Sequence, residues 1–195
     1  IHHRVKNNLS IVTSLLQLQS DGIHSPKEGK GALQLCSDRI HSMALVHEHL
    51  YQSERLSTVD MESYVKNLSS NLLSIYTTGA IIETDIHIEN VSIDITKAVP
   101  CGLILNELIG NSLVHAFPND RRGEIVVALD RCEDGRFELA VTDNGVGFRE
   151  DIGGDQPRGL GLRLVELLAK QLGGELEMSW DDGADARVRF APESE

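Results

Sequence analysis

The stretch that decides the fold is NELIGNSLVHAF, residues 106–117. Its apolar residues recur at helical spacing and extend a helix predicted for residues 97–116. Glu107 and Asn111 are four residues apart, so they lie on one face of that helix. A carboxylate beside an amide suits a hydrated Mg²⁺, which keeps several waters and takes few protein oxygens. The alternative is a helix with two polar residues near the surface, and this stretch alone does not decide between them.

A second stretch, TDNGVGF at residues 142–148, directly follows a predicted strand. Asp143 stands at the end of that strand, where a lone carboxylate can accept a hydrogen bond from an exocyclic amine. Gly145 and Gly147 allow the backbone to approach a flat ligand or a phosphate closely. An ordinary turn after a strand is the alternative.

A third stretch, RGLGLRLV at residues 158–165, opens another predicted helix. Gly159 and Gly161 place free backbone N–H groups at the positive end of the helix dipole, which is a favourable site for an anion. A glycine-assisted junction between a loop and a helix is the alternative.

The surrounding sequence predicts helices and mostly antiparallel strands. A helix capped by Ser57 or Thr58 runs through Tyr64, Leu68 and Leu72. Alternation and turn signals predict further elements: strands at 81–88, 124–129, 137–142, 175–180 and 186–191, and a helix at 162–172. This part of the chain is therefore predicted to be an α/β sandwich with helices on one sheet face.

The N-terminal part has a different pattern, which begins with IHHRVKNNLSIVTSLLQLQ at residues 1–19. Val5, Leu9, Val12 and Leu16 follow heptad spacing, and the same spacing recurs over residues 31–52. We expect an antiparallel helical hairpin, completed in a homodimer as a four-helix bundle. The predicted domains are residues 1–56 and 57–195, and the fold class is α+β.

Composition limits the possible partners. The 195 residues have a formal net charge of −12, which argues against a nucleic-acid partner but leaves an ATP site possible, because backbone N–H groups can hold phosphates. Three widely spaced cysteines predict no disulfide framework and favour a reducing, cytoplasmic location. No apolar stretch approaches the length of a membrane span and no signal peptide is recognisable. The start without Met is expected to mark a fragment.

Taken in order, the three glycine- and carboxylate-containing stretches resemble the Bergerat-type ATP-binding fold shared by histidine kinases, type II topoisomerases, Hsp90 and MutL. The resemblance covers about residues 58–191. It implies that Asn111 is a magnesium ligand, that Asp143 binds adenine, and that Glu107 matches the family's acidic residue. It further implies a set of lid and phosphate-binding residues: Gly145, Gly147, Arg158, Gly159, Leu160 and Gly161.

The opening motif H-R-V-K-N-N-L resembles the phosphoacceptor motif of sensor histidine kinases related to the HWE subfamily. The resemblance implies an ATP-dependent protein-histidine kinase with His3 as the acceptor. It also implies a response-regulator receiver domain as partner and an upstream sensor domain of PAS or LOV type. The heptad pattern agrees, because its backward extension falls on His2 and leaves His3 about 100° away.

Two departures from the family pattern leave roles open. Val114 stands where many members have a lysine. Either the neighbouring His115 takes the role of that lysine, or another residue contacts the phosphate. Arg4, and not an acid, follows His3; the proton acceptor is therefore open, and Glu107 acting through water is one candidate. Arg4 or Lys6 either touches the γ-phosphate or is a rim charge.

Two other classes of protein explain the sequence less completely. An ATPase or a serine kinase of the anti-sigma-factor type would share the ATP fold but would not explain the heptad hairpin. A non-enzymatic scaffold with a degenerate ATP fold would not explain the intact Asn111, Asp143 and glycines.

Overall fold

The structure is a computed structural model that describes residues 58–76, 81–147, 160–180 and 182–191. The predicted helical hairpin with His2 and His3 lies outside the described residues, and so does the predicted domain boundary. Arg158 and Gly159 lie outside them as well. These assignments therefore stay predictions.

The described residues form seven strands and three α-helices, joined by two short helical turns. In chain order they are β1 Thr58–Asp60, α1 Met61–Tyr76, β2 Ile82–His87, β3 Ser92–Asp94, α2 Ile95–Asn111, a π-helical turn Ser112–Ala116, a 3₁₀ turn Pro118–Asp120, β4 Gly123–Arg131, β5 Phe137–Asp143, α3 Leu160–Gln171, β6 Glu175–Ser179 and β7 Ala184–Phe190.

Five strands form one mixed sheet in the order β2-β4-β5-β7-β6. Strand β2 pairs with β4 in parallel, whereas the other neighbours are antiparallel. A parallel pair needs a long crossover, and here the chain between the two strands contains α2. The predicted α+β class with mostly antiparallel strands is confirmed.

The first helix begins differently from the prediction. Thr58 lies in β1 and pairs with Asp94 of β3, so the predicted cap at Thr58 is wrong. Helix α1 begins at Met61, and Asp60 provides its cap. The Asp60 carboxylate accepts from the N–H of Glu62 at 3.1 Å and from the hydroxyl of Ser63 at 2.7 Å. An aspartate can satisfy free N–H groups of the first turn in this way.

Helix α2 is the central helix of the sandwich. Asp94 caps it by accepting from the N–H of Thr96 at 2.7 Å. The helix then runs to Asn111 and continues as the π-helical turn Ser112–Ala116. The predicted helix at 97–116 is confirmed in extent, but its final turn has a wider winding than an α-helix. Such turns occur frequently at functional sites.

Strand register determines which side chains face the helices. Ile125 pairs with Asp143, Val127 with Val141 and Leu129 with Leu139, so these side chains share one face of the sheet. All six are buried. Apolar side chains of α3 are buried too, including Leu164 and Leu168. Full burial of a Leu, Ile or Val contributes about 1.5–3 kcal/mol, so this layer dominates the stability of the fold.

The opposite face of the sheet is charged. Glu138 on β5 accepts from Arg187 and Arg189 on β7, and Arg187 also pairs with Asp185. Partly exposed pairs of this kind contribute ~0–1 kcal/mol each. These ion pairs therefore identify the face of the sheet that is exposed to solvent, and they contribute little to the stability of the fold.

Helix α2 also carries a buried cysteine. Burial raises the pKa of the Cys101 thiol to about 12. The thiolate is the reactive form of cysteine, so Cys101 behaves as a small apolar side chain. Within the described ranges, no helix combines the length and the apolar character needed to cross a bilayer.

Candidate functional site

A cavity of about 420 Å³ opens between α2 with its π-helical turn, the end of β5, the start of α3 and the β6–β7 hairpin. Apolar side chains form much of its wall, among them Leu108, Val141, Met178, Trp180 and Ala186. Sites for small molecules are typically concave and mostly apolar, with a few polar groups that fix orientation. This cavity has that character and a size suited to a nucleoside.

Asp143 is a buried polar residue of this cavity and is only 5% exposed. Its position at the end of β5, on the face that meets the helices, follows from the strand register. Oδ1 accepts from the backbone N–H of Gly145 at 3.0 Å and of Ala184 at 3.2 Å. Oδ2 accepts from the hydroxyl of Ser112 at 2.6 Å. Three donors thus hold the carboxylate in one orientation.

The final turns of α2 bring Asn111, Ser112 and His115 to the same cavity. Asn111 is half-buried, whereas His115 is exposed. An amide oxygen and an imidazole at the mouth of an apolar cavity can contact the polar end of a ligand whose flat part lies deeper. The structure therefore brings together three predicted site residues that have polar side chains, Asn111, Asp143 and His115.

Glu107 has a different environment. Its side chain is buried, 7% exposed, and it is not among the described residues that line the cavity. It lies one turn before Asn111 on α2, as the sequence spacing predicted.

The glycines predicted to belong to the site lie at different positions relative to the cavity. Gly147 lines the cavity with φ of 65°, and a β-carbon there would lie 3.1 Å from the carbonyl oxygen of Trp180. Gly145 instead packs against Ala116, whose backbone and side chain occupy the space that a β-carbon would need. Gly161 lines the cavity from the first turn of α3, and Leu160 is the first residue of that helix. The first N–H groups of a helix have no partner within the helix, and such a turn is a favourable place for an anion.

Two cavity residues were missed by sequence reasoning. Ser112 drew no prediction, although it is a small polar residue next to Asn111. Trp180 was given no role in the site either, yet it lines the cavity while remaining 37% exposed. The available signal was the alternation of Leu176 and Met178 in β6, which Trp180 continues directly after the strand. It places Leu176 and Met178 on the helix-facing side of the sheet.

Among the described residues, no group of three or more His, Cys, Asp or Glu side chains is arranged to hold a metal ion. The amide oxygen of Asn111 is a ligand of the type that Mg²⁺ prefers, whereas three donors already hold the Asp143 carboxylate.

Comparison with known proteins identifies two family regions. Residues 1–76 match a family described as "Histidine kinase". Residues 96–195 match one described as "Histidine kinase-, DNA gyrase B-, and HSP90-like ATPase". The second region contains the whole cavity.

Among relatives, the sensor histidine kinase PdtaS of Mycobacterium tuberculosis is 32% identical over 195 residues, which cover 97% of this chain and 36% of PdtaS. Blue-light-activated histidine kinase 2 of Erythrobacter litoralis is 26% identical over 92% of this chain and 52% of that protein. The chain thus spans between a third and about half of these relatives.

A solved structure gives the same fold. The Erythrobacter litoralis EL346 blue-light activated histidine kinase aligns with a TM-score of 0.75 and 23% identity, over 98% of this chain and 57% of that one. With its two matching regions in order, the chain belongs to the histidine kinase family of the HWE-related type and carries that family's ATPase-like domain.

Proposed function

We propose that this chain binds ATP with Mg²⁺ in the cavity, phosphorylates its own His3, and passes the phosphoryl group to an aspartate of a response-regulator receiver domain. The observation that carries the proposal is the buried Asp143, which three donors hold in an apolar cavity that Asn111 and the first turn of α3 also line. That combination provides an acceptor for the exocyclic amine of adenine and a route for phosphates toward a helix N-terminus.

The residues present fit a magnesium–nucleotide pair. The base would lie between the apolar walls, and the phosphates would lie toward Gly161, with His115 nearby in place of the lysine that is absent at Val114. Asn111 would hold Mg²⁺, whose charge, when it is bound, offsets that of the phosphates.

In the phosphoryl transfer, a lone pair on a neutral imidazole nitrogen of His3 attacks the γ-phosphorus. The bond from that phosphorus to the β–γ bridging oxygen breaks, and ADP leaves. Imidazole has an ordinary pKa near 6.5, so much of it is neutral at pH 7. The protein therefore contributes mainly positioning and charge neutralisation. The group that takes the imidazole proton stays open, with Glu107 acting through water as one candidate. Arg4 or Lys6 is placed near enough in sequence to His3 to contact the γ-phosphate.

The same proposal includes the assembly. We place the chain in a cytoplasmic homodimer whose helical hairpins form a four-helix bundle, downstream of a sensor domain of PAS or LOV type. The receiver domain would dock on the bundle near His3, since direct transfer requires the two reacting groups to meet.

The test is incubation of the protein with Mg²⁺ and ATP labelled in the γ-phosphate, followed by acid and alkali treatment of the labelled product. We expect label that acid removes and alkali does not, as a phosphohistidine requires. Acid-stable label on serine or threonine would replace the proposal with a serine kinase. ATP binding without any label would leave only a nucleotide-binding scaffold.

Nucleotide binding has its own reporter, because Trp180 is the only tryptophan of the chain and lines the cavity. We expect ATP to change its fluorescence in a saturable way, since a bound base would exclude water from the partly exposed indole and stack near it. Tripolyphosphate with Mg²⁺ is the control, and it should leave the emission unchanged because it has no base. If calorimetry detects ATP binding while the emission stays constant, the base lies outside this cavity.

A further inference from the structure

Ser112 is the buried polar residue of the cavity that the proposed function leaves without a role. Its side chain is 7% exposed and its hydroxyl donates to Asp143 Oδ2 at 2.6 Å. The two residues are 31 positions apart and belong to different layers of the sandwich, the π-helical turn and the end of β5. This bond therefore joins the helix layer to the sheet at the cavity wall.

The hydrogen bonds of Asp143 leave one place for a ligand. Each carboxylate oxygen has two acceptor positions. Both positions on Oδ1 are taken by the N–H groups of Gly145 and Ala184. Within the described part of the chain, Oδ2 accepts from Ser112 alone, so its second position is open. A donor on a ligand would meet the same oxygen that Ser112 holds.

The Ser112 hydroxyl has a single proton, and Asp143 already uses it. Toward the cavity the hydroxyl can therefore present lone pairs only. The carboxylate oxygen and the hydroxyl oxygen together form a wall that accepts hydrogen bonds and donates none. A ligand carbonyl facing this wall would lose its hydrogen bonds with water and gain none in return.

We propose that Ser112 is a positioning and specificity-determining residue: it orients Asp143 Oδ2 and selects a purine with an amine, and not a carbonyl, at its six-position. This inference rests on the proposed function, because it assigns the base of ATP to this end of the cavity. Ser112 acts through Asp143 and takes no part in the phosphoryl transfer.

The test compares the binding of three triphosphates to the wild-type protein and to Ser112→Ala. They are ATP, purine riboside triphosphate, which lacks the six-amine, and inosine triphosphate, which has a carbonyl there. We expect the Kd for ATP to rise about tenfold, as for loss of a hydrogen bond that orients a charged acceptor. The Kd for purine riboside triphosphate should stay nearly constant, and discrimination between ATP and inosine triphosphate should shrink. Equal weakening of all three would assign Ser112 a structural role and overturn the inference.

Ser69→Ala is the matched control. Ser69 is also a buried serine, 1% exposed, and its hydroxyl has no hydrogen-bond partner among the described residues. It lies on α1 and is not among the described residues that line the cavity, so its truncation should leave every Kd unchanged. If Ser112→Ala does not fold, Ser112→Cys takes its place, because a thiol keeps the size and donates only weakly.

A double-mutant cycle with Asp143→Asn shows whether Ser112 acts through Asp143. If it does, Ser112→Ala should change ATP binding far less in the Asp143→Asn background than in the wild type. An undiminished effect there would overturn the inference. Failure of the wild type to bind ATP would overturn the proposed function itself. Wild-type ATP binding with no effect of Ser112→Ala would overturn the role of Ser112 alone.

Discussion

Replacing His3 with glutamine is expected to abolish the acid-labile label, whereas replacing His2 should leave most of it. Glutamine keeps a polar side chain of moderate size but has no nucleophilic ring nitrogen. Phosphoryl transfer to this site then has no acceptor, and the loss should be complete at any ATP concentration.

The difference between the two neighbours follows from the heptad pattern. Val5, Leu9 and Val12 are predicted to form a buried stripe, and extending it backward by three residues reaches His2. In a helix His3 would be rotated by about 100° from that stripe, toward solvent and an incoming nucleotide. His2 would instead face the interior of the bundle.

ATP binding provides the control for this pair. Both variants should show the wild-type fluorescence response of Trp180, because neither histidine belongs to the ATP-binding region. Persistence of acid-labile label in His3→Gln, or its loss in His2→Gln alone, would move the acceptor to another residue.

Replacing Gly183 with alanine is expected to lower the free energy of unfolding by about 3 kcal/mol, from backbone strain combined with steric overlap. Gly183 has φ of 97°, a conformation that side chains disfavour. A β-carbon there would also overlap the carbonyl oxygen of Asp143 and approach Asn144. Relief would require two backbone segments to separate at the cavity, so ATP binding should weaken as well.

Gly110→Ala is the control substitution for this prediction. Gly110 lies within α2, and a β-carbon there would meet nothing within 4 Å. Alanine in a helix interior is favoured over glycine by about 0.5–1 kcal/mol, so this variant should be slightly more stable than the wild type. Urea unfolding followed by circular dichroism measures both changes. If Gly183→Ala and Gly110→Ala were equally stable, the prediction of backbone strain and steric overlap at Gly183 would be wrong.

Local patterns were sufficient to predict most elements of the described fold. Alternation predicted β2, and Gly135 in the turn between β4 and β5 has the positive φ that such turns need. The spacing of Asn111 and the position of Asp143 after a strand singled out two residues that the structure places at one cavity. These signals are short-range, since they depend on residues close together in the chain.

The missed features depend on residues far apart in the chain or on backbone geometry. Thr58 looks like a helix cap, but β1 forms because Ser92 to Asp94 supply a partner strand more than 30 residues later. The π-helical turn has no local sequence signal comparable to a proline or glycine. The role of Ser112 depends on its hydrogen bond with Asp143, which forms because the π-helical turn brings the two residues together. No rule based on sequence spacing predicts that bond.

The position of β7 in the sheet has a consequence for synthesis on the ribosome. It follows all the other described strands in the sequence, yet it lies between β5 and β6 rather than at an edge. While a nascent chain lacks it, β6 has no neighbour in the sheet and β5 has an open side, so both expose backbone groups that can pair with other chains. The nucleotide site would therefore be completed only after β7 has been synthesised, and chains stalled before that point should depend on chaperones.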